Sequence, residues 1–211
     1  MYFYSYYKML INSSDDSPEK IYALLVQTVV PRPIAWVLSD NGNGSYNLAP
    51  FSFFNAVASN PPVVMISMGW KDEDNKKDTW VNIDKRDHFV VHVPSATSAS
   101  NVVGSSATLA HGESEINKLK LSLKKDEGWP LPRLAEAKVA FYCSKFAIHE
   151  IGADPQALIL GEIKKIWVDD SILTEYKGRW SINYDLLNPI ARLGGPFYSL
   201  LGEKITIPRP E

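Results

Sequence analysis

The chain has 211 residues, 45% hydrophobic and 22% charged, with Lys+Arg 22 against Asp+Glu 24 and a formal net charge of -2. That length suits one domain with an ample core, and the balanced charge argues against a general nucleic-acid binder, whose footprint would be basic. Cys143 is the sole cysteine, which excludes an intramolecular disulfide and a Cys-based zinc site, and no apolar run approaches membrane-spanning length.

Met1–Ile11 is aromatic and lacks the basic start, apolar stretch and small-residue cleavage site of a signal peptide, so the chain reads as cytoplasmic. Met9 offers a second start. Residues 1–17 read as an N-terminal extension expected to be disordered, and 18–211 as a single domain. Ser17-Pro18-Glu19 has the order of a helix start: a cap, a proline at the first position, an acid in the first turn. Ile21, Leu24, Leu25 and Thr28 share one face of that helix, and Pro31 and Pro33 end it. Ile34–Ser39 reads as a strand. Asp40–Ser45 is a turn cluster suited to a hairpin loop; its Gly42-Asn43-Gly44 lacks the third glycine and the following helix of a nucleotide loop.

Tyr46–Ser59 is apolar but interrupted by Pro50, Ser52 and Asn55. Val63–Met68 and Phe89–Val93 read as buried strands, Trp70–Lys77 as a charged loop and Asp78–Asp84 as a short helix. Ser95–Thr108 is small and polar, with Val102, Val103 and Ala107 at helical spacing. Lys118–Trp129 reads as charged surface. Val139–Ile148, Ala157–Lys165 and Ile166–Val168 read as strands, with Gly161 at a bulge, and Arg179–Tyr198 as irregular. Many short strands divided by Pro and Gly turns predict a closed barrel rather than a βαβ sheet.

Metal and nucleophile chemistry find little support. His88, His92, His111 and His149 form no ligand spacing, and Phe89-Val90-Val91 reads as strand, which parts His88 from His92. Cys143 sits in an apolar strand and reads as an inert thiol. The informative stretch runs from Arg32 to Asn82: Arg32-Pro-Ile-Ala-Trp36, Asn47-Leu-Ala-Pro-Phe-Ser-Phe-Phe-Asn55, Ser59-Asn-Pro-Pro62 and Lys77-Asp-Thr-Trp-Val-Asn82. Lys77 followed by a helix start joins a cation to inward-pointing N–H groups, which suits a phosphate; a solvated helix cap has the same spelling. Ser52 and Asn55 could satisfy a polar chain, and Ala49 and Pro50 allow backbone to approach a flat ring.

In order and spacing these motifs resemble the flavin reductase-like proteins, FMN-binding split barrels of the flavoredoxin type. Arg192-Leu-Gly-Gly-Pro-Phe-Tyr198 resembles the C-terminal element of that group, so the likeness runs from Ile21 to Tyr198. It implies a mainly β fold, a six-stranded Greek-key split barrel with a few short flanking helices, and a homodimer with FMN near the subunit interface. It places Ala49, Pro50 and Ser52 near the isoalloxazine and Asn55 by the ribityl chain. Ser67, Lys77, Asp78, Thr79 and Asn82 fall at or behind the phosphate, and Arg192, Gly194, Gly195 and Tyr198 come from either subunit. One departure stands out: Gln156 occupies the place where many of these reductases carry a histidine near the nicotinamide.

The expected function is electron transfer from NADH or NADPH through bound FMN to a small-molecule redox substrate or a protein acceptor, with no nucleic-acid or membrane partner. The flavin supplies the redox chemistry, so no side chain is required as acid or base. A non-catalytic FMN-binding electron carrier reduced by a partner protein is the alternative. An oxidase of a phosphorylated vitamer and an OB-like barrel for single-stranded nucleic acid are more distant ones.

Overall fold

The computed structural model describes residues 10–210. Most of the expected N-terminal extension, Met1–Lys8 and Met9 included, lies outside them. The helix expected next forms as α1, Pro18–Thr28, with Pro18 in its first turn. None of its residues is buried, and Tyr22 is 59% exposed, so its apolar face meets solvent in the single chain.

Seven strands build one antiparallel sheet: β1 (Ala35–Asp40), β2 (Tyr46–Phe51), β3 (Phe54–Ser59), β4 (Pro62–Met68), β5 (His88–His92), β6 (Val139–Ile151) and β7 (Gln156–Val168). Their spatial order is β2-β1-β5-β6-β7-β4-β3. The interrupted segment Tyr46–Ser59 thus supplies both edges. Only Ser52 and Phe53 separate β2 from β3, a link that reaches roughly 10 Å at most. The sheet must therefore curl until its edges meet at this link. There the Phe53 carbonyl accepts the Ser67 N–H of β4 at 2.8 Å. The two edge strands do not pair with each other, so the barrel is split rather than closed. Pro50 sits on an edge strand, where a missing N–H does least harm.

Strand β1 is buried on both faces, as its unbroken apolar run requires. Trp36 and Leu38 pack with Val90, Tyr142 and, from α3 (Ala99–Gly104) and α4 (Glu115–Leu119), Val102 and Ile116. Ala35 and Val37 pack with Ile66, Phe89, Ile159 and, from α2 (Asp78–Arg86), Trp80 and Ile83. The segments expected as separate strands over Ala157–Lys165 and Ile166–Val168 are one strand, β7, whose pairing with β6 shifts register at Leu160/Gly161 and again at Ile163/Lys165. A Cβ on Gly161 would lie 2.4 Å from the Phe89 ring, which is why this bulge needs glycine.

The region expected to be irregular, Arg179–Tyr198, contains a small sheet. Arg32–Pro33 pairs with Ala191–Arg192, which pairs with Tyr198–Ser199. This lays the C-terminal segment beside α1 and sets Arg192 directly across from Arg32.

Candidate functional site

Two cavities open on either side of the end of β2, and Pro50, Phe51 and Ser106 line both. The smaller, about 140 Å³, holds Lys71, Lys77, Thr79 and Glu115. The larger, about 360 Å³, holds Arg32, Arg192, Tyr22 and Tyr198.

The lysine cavity is built where α2 begins. Asn47 of β2 donates to the Thr79 hydroxyl at 2.8 Å, which fixes the first turn of the helix against the sheet edge. Lys77 precedes that turn and makes no hydrogen bond with its side chain to cap it. Asp78 faces two groups at once: Lys71 donates to one oxygen at 3.1 Å and His111 Nδ1 meets the other. Asp78 is thereby engaged, while Lys77 has no carboxylate partner among the described residues. Burial holds the Lys77 ammonium below its ordinary pKa, and the Lys71 charge adds to this against the pull of Asp78. A half-buried cation with a second cation beside it calls for an anion.

Glu115 closes the opposite wall. It accepts the Leu48 backbone N–H at 2.8 Å and is 6% exposed. Burial raises its pKa above the usual carboxylate range, with the Leu48 hydrogen bond opposing. Ser105 at the end of α3 accepts from the Trp36 indole at 2.8 Å and donates to Val102, which anchors the loop that carries Ser106.

The arginine cavity is polar on one side and aromatic on the other. Arg32 is buried and donates to the Val26, Val29 and Leu193 carbonyls, tying the end of α1 to the C-terminal segment; its Nε reaches Ser52 at 3.4 Å. Arg192 donates to the Gly195 carbonyl at 2.5 Å and lies 4.5 Å from the Tyr198 ring centre. Gly195 has φ +58°, which lets the chain turn back so that its carbonyl meets Arg192.

Of the residues singled out from sequence, Ala49, Pro50, Lys77, Asp78 and Thr79 converge on the lysine cavity, and Ser52, Arg192, Gly195 and Tyr198 on the arginine cavity. Five stand elsewhere in the single chain. Asn82 is buried behind α2, where it donates to Ser39 and Asn41 and accepts from Arg86, so it holds the hairpin loop. Asn55 is exposed on edge strand β3, its side-chain oxygen turned to the Ala56 N–H. Ser67 is paired within β4 and lines neither cavity. Gly194 faces Gln27 of α1 in a separate cleft. Gln156 lies against Gly69 at the start of β7, also outside both cavities. Sequence reasoning missed Lys71, Glu115, Ser106 and Tyr22. The one available signal was Glu115, an acid followed directly by the apolar Ile116 in an otherwise polar run.

The sequence model for the family described as "Flavin reductase like domain" matches residues 27–182. YwrF of Bacillus subtilis, an uncharacterized protein, is 35% identical over 199 residues, which span 92% of this chain and 95% of that one. Nitrilotriacetate monooxygenase component B from Bacillus cereus superposes with a TM-score of 0.88 at 31% identity, over 96% of this chain and 100% of that one. The 2-nitrobenzoate 2-nitroreductase NbaA of Pseudomonas fluorescens superposes at 0.85 with 29% identity, over 96% of both chains.

Proposed function

The chain belongs to the flavin reductase-like domain family, and from that premise we propose that it binds FMN and passes electrons from NADH or NADPH through it to a second substrate. The observation that carries this reading is the pairing of an anion-seeking pocket with a wider, partly aromatic one across Pro50 and Phe51. A mononucleotide with a phosphate at one end and a flat ring at the other has the same division of chemistry. When bound, the flavin supplies the hydride acceptor and the electron relay.

The protein's own residues bind and orient. Lys77 and Lys71 offset the phosphate charge, and the Thr79 hydroxyl and the N–H groups opening α2 donate to its oxygens. Asp78, gripped by Lys71 and His111, braces the helix start rather than facing the anion. Pro50–Ser52 offers rigid backbone to the ring. The names of the two solved relatives, a monooxygenase component and a reductase of a nitroaromatic acid, support a small-molecule or protein acceptor.

The alternative, an FMN-binding electron carrier, draws its support from Gln156, which the family resemblance sets where many flavin reductases carry a histidine and which in the single chain lies outside both cavities. The test is the visible spectrum of the purified protein after FMN titration, followed by anaerobic NADH or NADPH. Rapid bleaching is expected. Bleaching only by dithionite or a partner protein would move the assignment to the carrier.

A second copy of the chain completes the reading. Tyr22, Leu24 and Leu25 of α1, Val57 of β3, and Phe197, Leu200 and Leu201 of the C-terminal segment are all exposed apolar groups. A two-fold dimer would cover them. Light scattering should report about twice the 23.6 kDa chain mass, and a monomer at micromolar concentration with FMN bound would remove the partner from the site.

A further inference from the structure

The lysine cavity has a neighbour that the proposed function leaves unused. On the far side of Asp78 lies an outer hollow of about 410 Å³, and Lys71 and Asp78 line both. Asp78 is thus the wall between them, and both of its carboxylate oxygens are held. Lys71 donates to one at 3.1 Å, and His111 Nδ1 meets the other. A carboxylate only accepts, so Nδ1 carries the proton in this contact.

The hairpin loop after β1 places His111 for this. The Gly112 carbonyl accepts from Asn43 at 3.1 Å, from Ser45 at 3.2 Å and from Asn41 at 3.4 Å. Asn41 in turn accepts from Asn82 of α2 at 2.9 Å. The series of contacts leaves α2 at Asn82 and returns to it at Asp78, so helix, hairpin and wall are braced as one ring.

The two hollows differ in the charge they can offer. Inside, Lys77 has no carboxylate partner among the described residues, and Lys71 is shared with Asp78. Outside, both lysines are engaged: Lys71 by Asp78, and Lys76 by Glu150 at 2.7 Å and by the Trp80 ring, whose centre lies 4.0 Å away. Asp72 and Asp74 also line the outer hollow. One phosphate is therefore answered on the inner side. A second phosphate pushed past Asp78 would meet carboxylates and, among the described residues, no unpaired cation. Like charge set against the wrong ligand is a means of rejecting it.

We infer that the Asp78–His111 contact sets which flavin the site accepts: one ending in a monophosphate fits, and one carrying an adenosine phosphate beyond it, as FAD does, is excluded. His111 acts through Asp78 and is a positioning residue. This rests on the flavin reading in one respect, that the phosphate of the cofactor belongs to the lysine cavity.

The experiment titrates riboflavin, FMN and FAD by calorimetry into the purified native protein, His111→Ala and His111→Asn. The native protein should bind FMN roughly tenfold or more tighter than FAD, and riboflavin more weakly than FMN. His111→Ala should narrow the FMN-to-FAD ratio several-fold by gaining FAD affinity, because the wall loses its outer support. His111→Asn sets an amide donor near the Nδ1 position and should restore most of the ratio. FAD binding as tightly as FMN to the native protein would overturn the proposal. So would a ratio that His111→Ala leaves unchanged; FMN and FAD weakened in step would make His111 a structural brace alone. Riboflavin matching FMN would overturn it while flavin binding stood, since the phosphate would then lie outside the lysine cavity. If none of the three flavins binds, the flavin reading itself fails and this inference fails with it.

Discussion

Two sets of buried charge in this molecule are organised in opposite ways. Beside β6, Arg133 is 1% exposed and fully engaged: Nε donates to Asp126 at 2.9 Å, Nη1 donates to the Leu134 and Ala135 carbonyls, and the guanidinium stacks 3.4 Å over Trp167. The Tyr142 hydroxyl donates to the same Asp126 oxygen. His92 nearby donates from Nδ1 to the Trp36 carbonyl at 2.9 Å and accepts the Leu134 N–H on Nε2 at 3.0 Å. Around the end of β2 the pattern reverses. Among the described residues Lys77, Arg32 and Arg192 have no carboxylate partner, and Glu115 is buried with a backbone donor, Leu48, to one oxygen. Charge that is answered within the chain is holding the fold. Charge left over at a cavity is free to answer a ligand, and that difference marks the candidate site off from the scaffold where burial alone does not.

The comparison can be broken first at its structural end. Arg133→Ala should cost roughly 3–5 kcal/mol in urea denaturation, because it leaves Asp126 without its cation and uncovers Trp167. Asp126 is 27% exposed, which favours the lower figure. A loss under about 1 kcal/mol would mean this network is not the clasp described.

His92 gives the next largest effect, through pH. Burial lowers its pKa from 6.5 to about 4, with the Trp36 hydrogen bond opposing. The folded state therefore holds the neutral ring while the unfolded chain takes up a proton. The stability from this group is complete above pH 6.5 and is lost as pH falls from there toward 4. At about 1.4 kcal/mol per pKa unit the loss is on the order of 3.5 kcal/mol. Denaturation at a series of pH values should show that slope in the native protein and a flatter one in His92→Gln. Equal slopes would mean the acid sensitivity lies elsewhere.

Much of the scaffold was legible because periodicity and turn chemistry are local. Pro18 opened the helix, Asn41–Ser45 made the hairpin loop, Val63–Met68 lies within a strand, and the strand expected over Phe89–Val93 ends one residue sooner, at His92. What local signals could not carry was the division of Tyr46–Ser59 between the two edges of one sheet, since nothing in Ser52-Phe53 announces that its flanking strands part company. The same blindness affected the site. Lys77, Asp78 and Thr79 were legible as a helix start, while Lys71 and Glu115 join them only through long-range folding. Asn82 was legible as important, but its role in holding Asn41 and Ser39 depends on a hairpin 41 and 43 residues away in sequence that only the fold brings beside it.

At the ligand end, Lys77→Ala should weaken FMN by about 1.5–3 kcal/mol, roughly ten- to a hundredfold in dissociation constant, as a charge-assisted contact is lost. Fluorescence titration of FMN measures it. Thermal stability should hardly fall, because Lys77 has no ion pair to lose among the described residues. An unchanged dissociation constant would remove Lys77 from the site and weaken the claim that unanswered charge marks it.

The smallest and sharpest effect concerns Glu115. Burial raises its pKa, so the fold favours its neutral form, and the group costs stability as pH rises through its titration. Bringing a phosphate into the same cavity adds negative charge and favours the neutral form further. FMN binding should therefore take up a proton and weaken as pH climbs above the usual carboxylate range. Glu115→Gln keeps an oxygen to accept the Leu48 N–H but removes the charge. It should tighten FMN at neutral pH by a few-fold, on the order of 1 kcal/mol or less at an effective dielectric near 20, and flatten the pH dependence. Titrations at several pH values, in buffers of different ionisation enthalpy, read both quantities. If the variant binds FMN more weakly with its pH slope intact, the carboxylate is a structural clamp on β2, and its burial belongs with the answered charges of the Arg133 network instead.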